Sequence, residues 1–243
     1  FAEEKDILRK DYGRCGGFWR FDGMLDFCYL VNPYFPTKRM KDELKASFDT
    51  LLTEYPSGMK INSLIASTSF GVKQEYRVPG NGAAELIKAL MQMLPGKLGI
   101  VRPTFEEYPN RRDNDTLVTF QPANSTYRYS ADELMEFFSV NKADTLLIIN
   151  PDNPSGNFIQ RSDLLRLASW TREQGMRLVI DESFVDFSEH WETSSLLDNS
   201  LLEQNPNLIV VKSISKSYGV PGLRLGILAS SDEELIKNIK AEV

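Results

Sequence analysis

From Glu75 onward, short apolar runs alternate with longer stretches in which apolar residues return every three or four positions. The runs predict strands over Glu75–Val78, Leu98–Arg102, Thr116–Phe120, Thr145–Ile149, Arg177–Ile180, Leu208–Val211 and Arg224–Leu228. The stretches predict amphipathic helices over Ala84–Leu94, Ala131–Val140, Ser162–Gln174 and Asp232–Lys240. Strands that read as nearly continuous apolar runs are buried on both faces. The pattern therefore predicts an α/β fold in three layers, α/β/α, around a mostly parallel seven-stranded sheet. Upstream the rhythm is looser. Phe1–Tyr12 reads as a charged helix broken by Gly13-Arg14-Cys15-Gly16-Gly17, and Leu25–Val31 as an extended run ending at Asn32-Pro33. Thr37 is placed to cap a helix reaching Leu52, stopped by Tyr55-Pro56-Ser57-Gly58, and Ile61–Phe70 reads as another. Glu189–Asn207 is the longest irregular stretch.

Composition changes this picture little. The 243 residues carry 28 basic and 34 acidic side chains, a net charge of −6. That balance disfavours polyanion binding, and no basic stripe suggests nucleic acid. Two cysteines, Cys15 and Cys28, and one histidine, His190, form no metal-ligand spacing and no disulfide framework. A reducing, cytoplasmic setting is expected, with no membrane span and no metal. The chain opens on Phe1 and closes on Val243 inside a helix-like segment, so it reads as cut from something longer.

The chemistry collects where apolar runs end. Gly80-Asn81-Gly82-Ala83 follows the first and opens a helix, the arrangement in which backbone N–H groups meet an anion. Phe105 follows the second, either as a flat partner for a planar ring or as a core aromatic. Asn153 follows the fourth, in a loop that is a hydrogen-bond donor site or a plain turn. Asp181 follows the fifth; a carboxylate at the end of a buried strand needs a partner, or else caps a helix. After the sixth comes Ser213-Ile214-Ser215-Lys216, with Arg224 eight residues on. Hydroxyls and a guanidinium suit a phosphate, and a lysine among them can hold an aldehyde as a Schiff base. Pyridoxal 5'-phosphate carries both groups.

Taken in order, Gly80-Asn81-Gly82, Asn153-Pro154-Ser155-Gly156, Asp181-Glu182-Ser183-Phe184-Val185-Asp186-Phe187 and Ser215-Lys216 with Arg224 resemble the fold type I enzymes of aminotransferase class I/II. Tyr55-Pro56 and the Asp26–Pro33 run match as well. The chain is most similar to the branch of histidinol-phosphate aminotransferase and threonine-phosphate decarboxylase, over about residues 13–243. The resemblance implies an N-terminal arm and part of a small domain over residues 1–35. Residues 36–243 would be the pyridoxal-phosphate-binding large domain, ending before the C-terminal small domain. It also implies catalytic roles for Lys216, as the Schiff-base lysine, and Asp181, as partner of the pyridine nitrogen. Phe105 would stack on the ring and Asn153 would donate to its phenolic oxygen. Gly82 and Ala83 through N–H groups, with Ser213, Ser215 and Arg224, would hold the phosphate. Tyr55 would reach the phosphate of a second subunit, which implies a homodimer. A cis Asn153–Pro154 bond is implied too.

The implied reaction is amino-group transfer between an amino acid or phosphorylated amine and a 2-oxo acid, both small molecules. Decarboxylation of a phosphorylated amino acid is the alternative. Two departures bear on that choice. The aminotransferases usually carry tyrosine where Phe184 stands, whereas the decarboxylase branch carries phenylalanine. That branch also begins with His-Gly-Gly, where this chain has Cys15-Gly16-Gly17. The family's carboxylate-binding arginine belongs to the lobe beyond Val243, so poor turnover is expected of these 243 residues alone. A noncatalytic module on the same fold would be marked by loss of the lysine, but Lys216, Asp181 and Arg224 are all present.

Overall fold

A computed structural model describes Gly23, Leu25 and residues 30–243. The helix expected over Phe1–Tyr12, the break at 13–17, Cys15, Cys28 and most of the Leu25–Val31 run lie outside the described residues. Phe1–Leu30 and Val31–Val243 are separate compact units, and every element below belongs to the second.

In chain order the elements are α1 (Lys38–Ala46), α2 (Phe48–Thr53), α3 (Met59–Phe70), β1 (Arg77–Asn81), α4 (Ala83–Met93), β2 (Leu98–Val101) and β3 (Leu117–Phe120). Then come α5 (Ala131–Val140), β4 (Thr145–Ile149), α6 (Arg161–Glu173), β5 (Arg177–Asp181), α7 (Trp191–Ser194), α8 (Asn199–Gln204), β6 (Leu208–Ser213), α9 (Ile214–Ser217), β7 (Leu225–Ala229) and α10 (Glu233–Glu242). The strands form one seven-stranded sheet in the order β1-β7-β6-β5-β4-β2-β3. β7 runs antiparallel to both its neighbours; the remaining pairs are parallel.

Successive strand residues face opposite sides of a sheet, and here the alternation sorts them into two cores. Leu146, Ile148, Leu178, Ile180, Leu208 and Val210 pack with α5 and α6 on one side. Leu147, Ile149, Val179, Ile209 and Val211 pack with α4 and α10 on the other. Both faces are thus covered, and all five residues of β4 are buried. The helices that cover them start on clear signals. Ser130 and Glu133 form a reciprocal capping box at α5, and Asp198 and Asp232 cap α8 and α10.

The structure shifts several predicted boundaries for physical reasons. The helix expected from Thr37 to Leu52 breaks at Ser47; neither α1 nor α2 buries a residue, so no packing holds one continuous rod. α3 begins at Met59, two residues early. The first strand shifts from Glu75–Val78 to Arg77–Asn81, because pairing with β7 extends through Pro79↔Ile227. Proline is tolerated there because β1 is an edge strand. β7 starts at Leu225, leaving Arg224 outside it. The irregular stretch 189–207 contains α7 and α8, built around the buried Leu196, Leu201 and Leu202.

Phe138 on α5 is fully buried, and Gly99 on β2 makes room for it: a Cβ there would lie 2.6 Å from the ring. Phe138→Ala leaves a cavity that this rigid sheet cannot close. It is expected to cost about 3–5 kcal/mol, read as a lower urea midpoint.

Candidate active site

Strand ends and one short helix converge at the carboxyl edge of the sheet. β5 ends in Asp181, paired with Ile149 of β4 and Val211 of β6. Asp181 is 3% exposed. The Tyr108 hydroxyl donates to its Oδ2 at 2.7 Å, and the Ser183 N–H donates to Oδ1 at 2.9 Å. Burial, then the adjacent Asp181 charge, holds the Tyr108 phenol well above its ordinary pKa. It therefore remains a protonated donor that fixes the carboxylate in place.

Lys216 lies on α9, just past β6. Its Nζ sits 4.2 Å from the centroid of Phe184 and 5.3 Å from that of Phe105. Burial lowers the lysine pKa, while the Asp181 charge pulls it upward. The two groups thus share one electrostatic environment. From the other side, the Asn32 N–H donates to the Lys216 carbonyl at 2.9 Å, and the Asn32 side-chain amide donates to the Ser217 carbonyl at 2.9 Å. Gly219, at φ 61°, packs under this strap so closely that a Cβ would lie 1.8 Å from the Phe35 carbonyl oxygen.

The cradle forms between β1, α4 and β7. Gly82, at φ 80°, precedes Ala83, the first residue of the 11-residue α4. Arg224 adopts the left-handed region (φ 54°, ψ 65°), which few non-glycine residues enter. Its guanidinium lies against Gly82, where a Cβ would stand 2.6 Å from Nη2. A Cβ on Gly226 would stand 2.5 Å from the Ala83 nitrogen. Glycine at both positions is what lets strand, helix end and guanidinium close together. Ser213 ends β6; its N–H donates to Ser183 Oγ at 2.8 Å, and its hydroxyl is not used to cap α9.

The remaining predicted residues fall in different places. The Ser215 hydroxyl accepts from Leu225 N–H at 2.9 Å and donates to the Leu225 carbonyl at 3.2 Å. It braces the start of β7. Asn153 is half-buried in a loop held by Asn150, whose side chain accepts from Ile159 N–H at 2.8 Å and donates to its carbonyl at 3.0 Å. The Asn153–Pro154 bond is cis, as are Phe35–Pro36, Arg102–Pro103 and Asn150–Pro151. Tyr55 is 100% exposed and takes no part in this chain's cradle. Tyr108 and Asn32 were not assigned site roles from the sequence. The available signal for Tyr108 was an aromatic residue one turn after Phe105. For Asn32 the signals were its place before a proline and within the Asp26–Pro33 run that matches the family.

These residues fit pyridoxal phosphate. A helix start, a guanidinium and a serine hydroxyl suit its phosphate, and a buried carboxylate suits its basic nitrogen. A poorly hydrated amine between two aromatic faces suits its aldehyde and ring. Among the described residues, no group of three His, Cys, Asp or Glu could hold a metal ion, and no helix is long and apolar enough to cross a membrane.

Residues 38–241 match the model of the family described as aminotransferase class I and II. The chain is 35% identical to the CMP-5'-(3-aminopropyl)phosphonate synthase of Streptomyces rubellomurinus, over 99% of this chain and 37% of that protein. It is 33% identical to the L-serine phosphate decarboxylase of Sulfurospirillum multivorans, over 83% of this chain and 54% of that one. Among solved structures, a decarboxylase from Sulfurospirillum multivorans superimposes with a TM-score of 0.78 at 30% identity, over 95% of this chain and 59% of that one. The chain therefore spans between about a third and three-fifths of the length of these relatives.

Burying the Lys216 amine carries a stability cost with a definite pH dependence. Its folded pKa lies below the unfolded value of 10.5, so the unfolded chain binds more protons between the two values. Stability gains from this group as pH rises through that window and loses below it. Lys216→Met is expected to be more stable than wild type at pH 7 by about 1 kcal/mol. The advantage should vanish as pH approaches 10.5, as read from urea midpoints across pH.

Proposed function

The chain belongs to aminotransferase class I and II, whose members use pyridoxal phosphate, and from that premise we propose that it carries the cofactor site of a decarboxylase. The substrate in this reading is an amino acid bearing a phosphate or phosphonate group. The observation that carries it is the lysine held over Phe184, together with the named activities of similar proteins: serine phosphate decarboxylation and aminopropylphosphonate chemistry. Amino-group transfer, which the sequence places first, becomes the second reading, supported by the family's own description.

When bound, pyridoxal phosphate supplies an electron sink for a bond broken at the substrate α-carbon. The cradle of Gly82, Ala83, Ser213 and Arg224 binds its phosphate. Asp181, fixed by Tyr108 and Ser183, keeps a proton on the heterocyclic nitrogen. Phe105 would cover the ring, and Asn153 would donate to its phenolic oxygen. Lys216 would be the amine that holds the aldehyde, and its lowered pKa favours the neutral form which that requires. It would also accept the proton shed by an incoming substrate ammonium. With CO2 as the leaving group, the same lysine would give that proton to Cα. In transfer, the same amine would instead remove the α-proton.

In this reading residues 36–243 are the large domain, and residues 1–35 an N-terminal arm and part of the small domain. Tyr55, wholly exposed on this chain, serves the cradle of a second copy. The test is incubation of the purified protein with L-serine phosphate, L-threonine phosphate or an aminophosphonate analogue, with and without 2-oxoglutarate. CO2 and amine without 2-oxoglutarate are expected, together with visible absorbance that Lys216→Ala abolishes. Glutamate formed only with 2-oxoglutarate would favour transfer. A protein that gains no visible band with pyridoxal phosphate would refute both.

A further inference from the structure

Behind the site, on the opposite face of the sheet, lies a group of buried charges that the chemistry above does not use. Asp181 and Ser213 face the α4 side, with Val179, Ile209 and Val211. Lys212 and Glu182 continue the other alternation, with Ile180 and Val210. Lys212 is 5% exposed and Glu182 1%. Lys212 Nζ lies 2.7 Å from Asp186 Oδ1 and 3.9 Å from Glu182 Oε1. The Ser195 hydroxyl donates to Glu182 at 2.6 Å, and the Leu196 N–H donates at 2.8 Å. Burial raises the Glu182 pKa, and the Lys212 charge opposes that rise.

Resting on the cofactor reading, we propose that Lys212 is a positioning residue. Paired with Asp186 and Glu182, it pins the turn after β5 and so presses the Phe184 ring against the Lys216 amine. The connection is short. Glu182 N–H donates to the Val211 carbonyl at 2.8 Å, and Val185 N–H donates to the Glu182 carbonyl at 3.0 Å. Phe184 therefore sits between two residues anchored by one lysine, itself the neighbour of Ser213. An isolated charge at such depth is unfavourable. Removing either partner leaves one that turns toward water, and the turn opens with it. Phe184 then leaves Lys216, whose amine regains hydration.

Competitive acetylation of the cofactor-free full chain with acetic anhydride, followed across pH by mass spectrometry of the Lys216 peptide, reads the amine midpoint directly. Wild type is expected below the ordinary lysine value. Asp186→Asn and Lys212→Met are each expected to raise the midpoint by about one pH unit and to weaken pyridoxal phosphate uptake about tenfold. Lys212→Arg should restore both. Asp186 is partly exposed, so Asp186→Asn decides the matter if Lys212→Met fails to fold. A folded Asp186→Asn chain with the wild-type midpoint overturns the proposal. If wild type itself takes up no pyridoxal phosphate, the cofactor reading fails, while the acetylation midpoints still decide what Lys212 does.

Discussion

Burial favours the neutral form of an amine, and it lowers the pKa of Lys216. The Lys216 amine rests between Phe105 and Phe184, which come from loops after β2 and β5. Neither ring is near it in sequence. What brings them together is parallel pairing of β4, β5 and β6 with their ends nearly level, Ile149 beside Asp181 and Asp181 beside Val211. Each strand delivers its terminal residue to the same edge. A slip of one residue in β5 would send Asp181 to the α6 side and Glu182 to the α4 side. Register is therefore the feature on which the chemistry rests, and the two apolar cores fix it.

The cradle shows a second constraint, close approach of backbone. Arg224 occupies a conformation that disfavours side chains, and from there its guanidinium lies against Gly82. The glycines at 82 and 226 remove the atoms that would hold β7 and α4 apart. Strain at one residue is thus balanced by contacts that the surrounding sheet fixes. The antiparallel direction of β7 matters here, because its first residues meet the start of α4.

Much of this was legible in the sequence. Apolar runs gave every strand to within two or three residues, and Lys216, Asp181 and Phe105, singled out after them, lie near one another at the strand ends. Local pattern fails where geometry is set by distant partners. Tyr108 reads as an ordinary loop aromatic until Asp181 is seen to accept its hydrogen bond. Ser215 reads as a phosphate ligand, but its hydroxyl is used by Leu225, ten residues away. Arg224 reads as a strand residue because its unusual φ leaves no compositional mark. Lys212 lies just past the predicted Leu208–Val211 run, and only three-dimensional pairing gives it Asp186 and Glu182. Ser47 carries no breaker signal; the helix ends there because neither half is packed.

The division of labour between the two sheet faces also bears on which reaction runs. Phe184 offers Lys216 an apolar face and no hydroxyl. Such a site holds its lysine by exclusion of water more than by polar contact. In the decarboxylation proposed above, a proton given to Cα by a poorly hydrated amine would be slow to exchange with solvent. The paired charges around Lys212 lie behind the sheet, on the opposite face from Asp181, where in the proposal above they support the turn that carries Phe184.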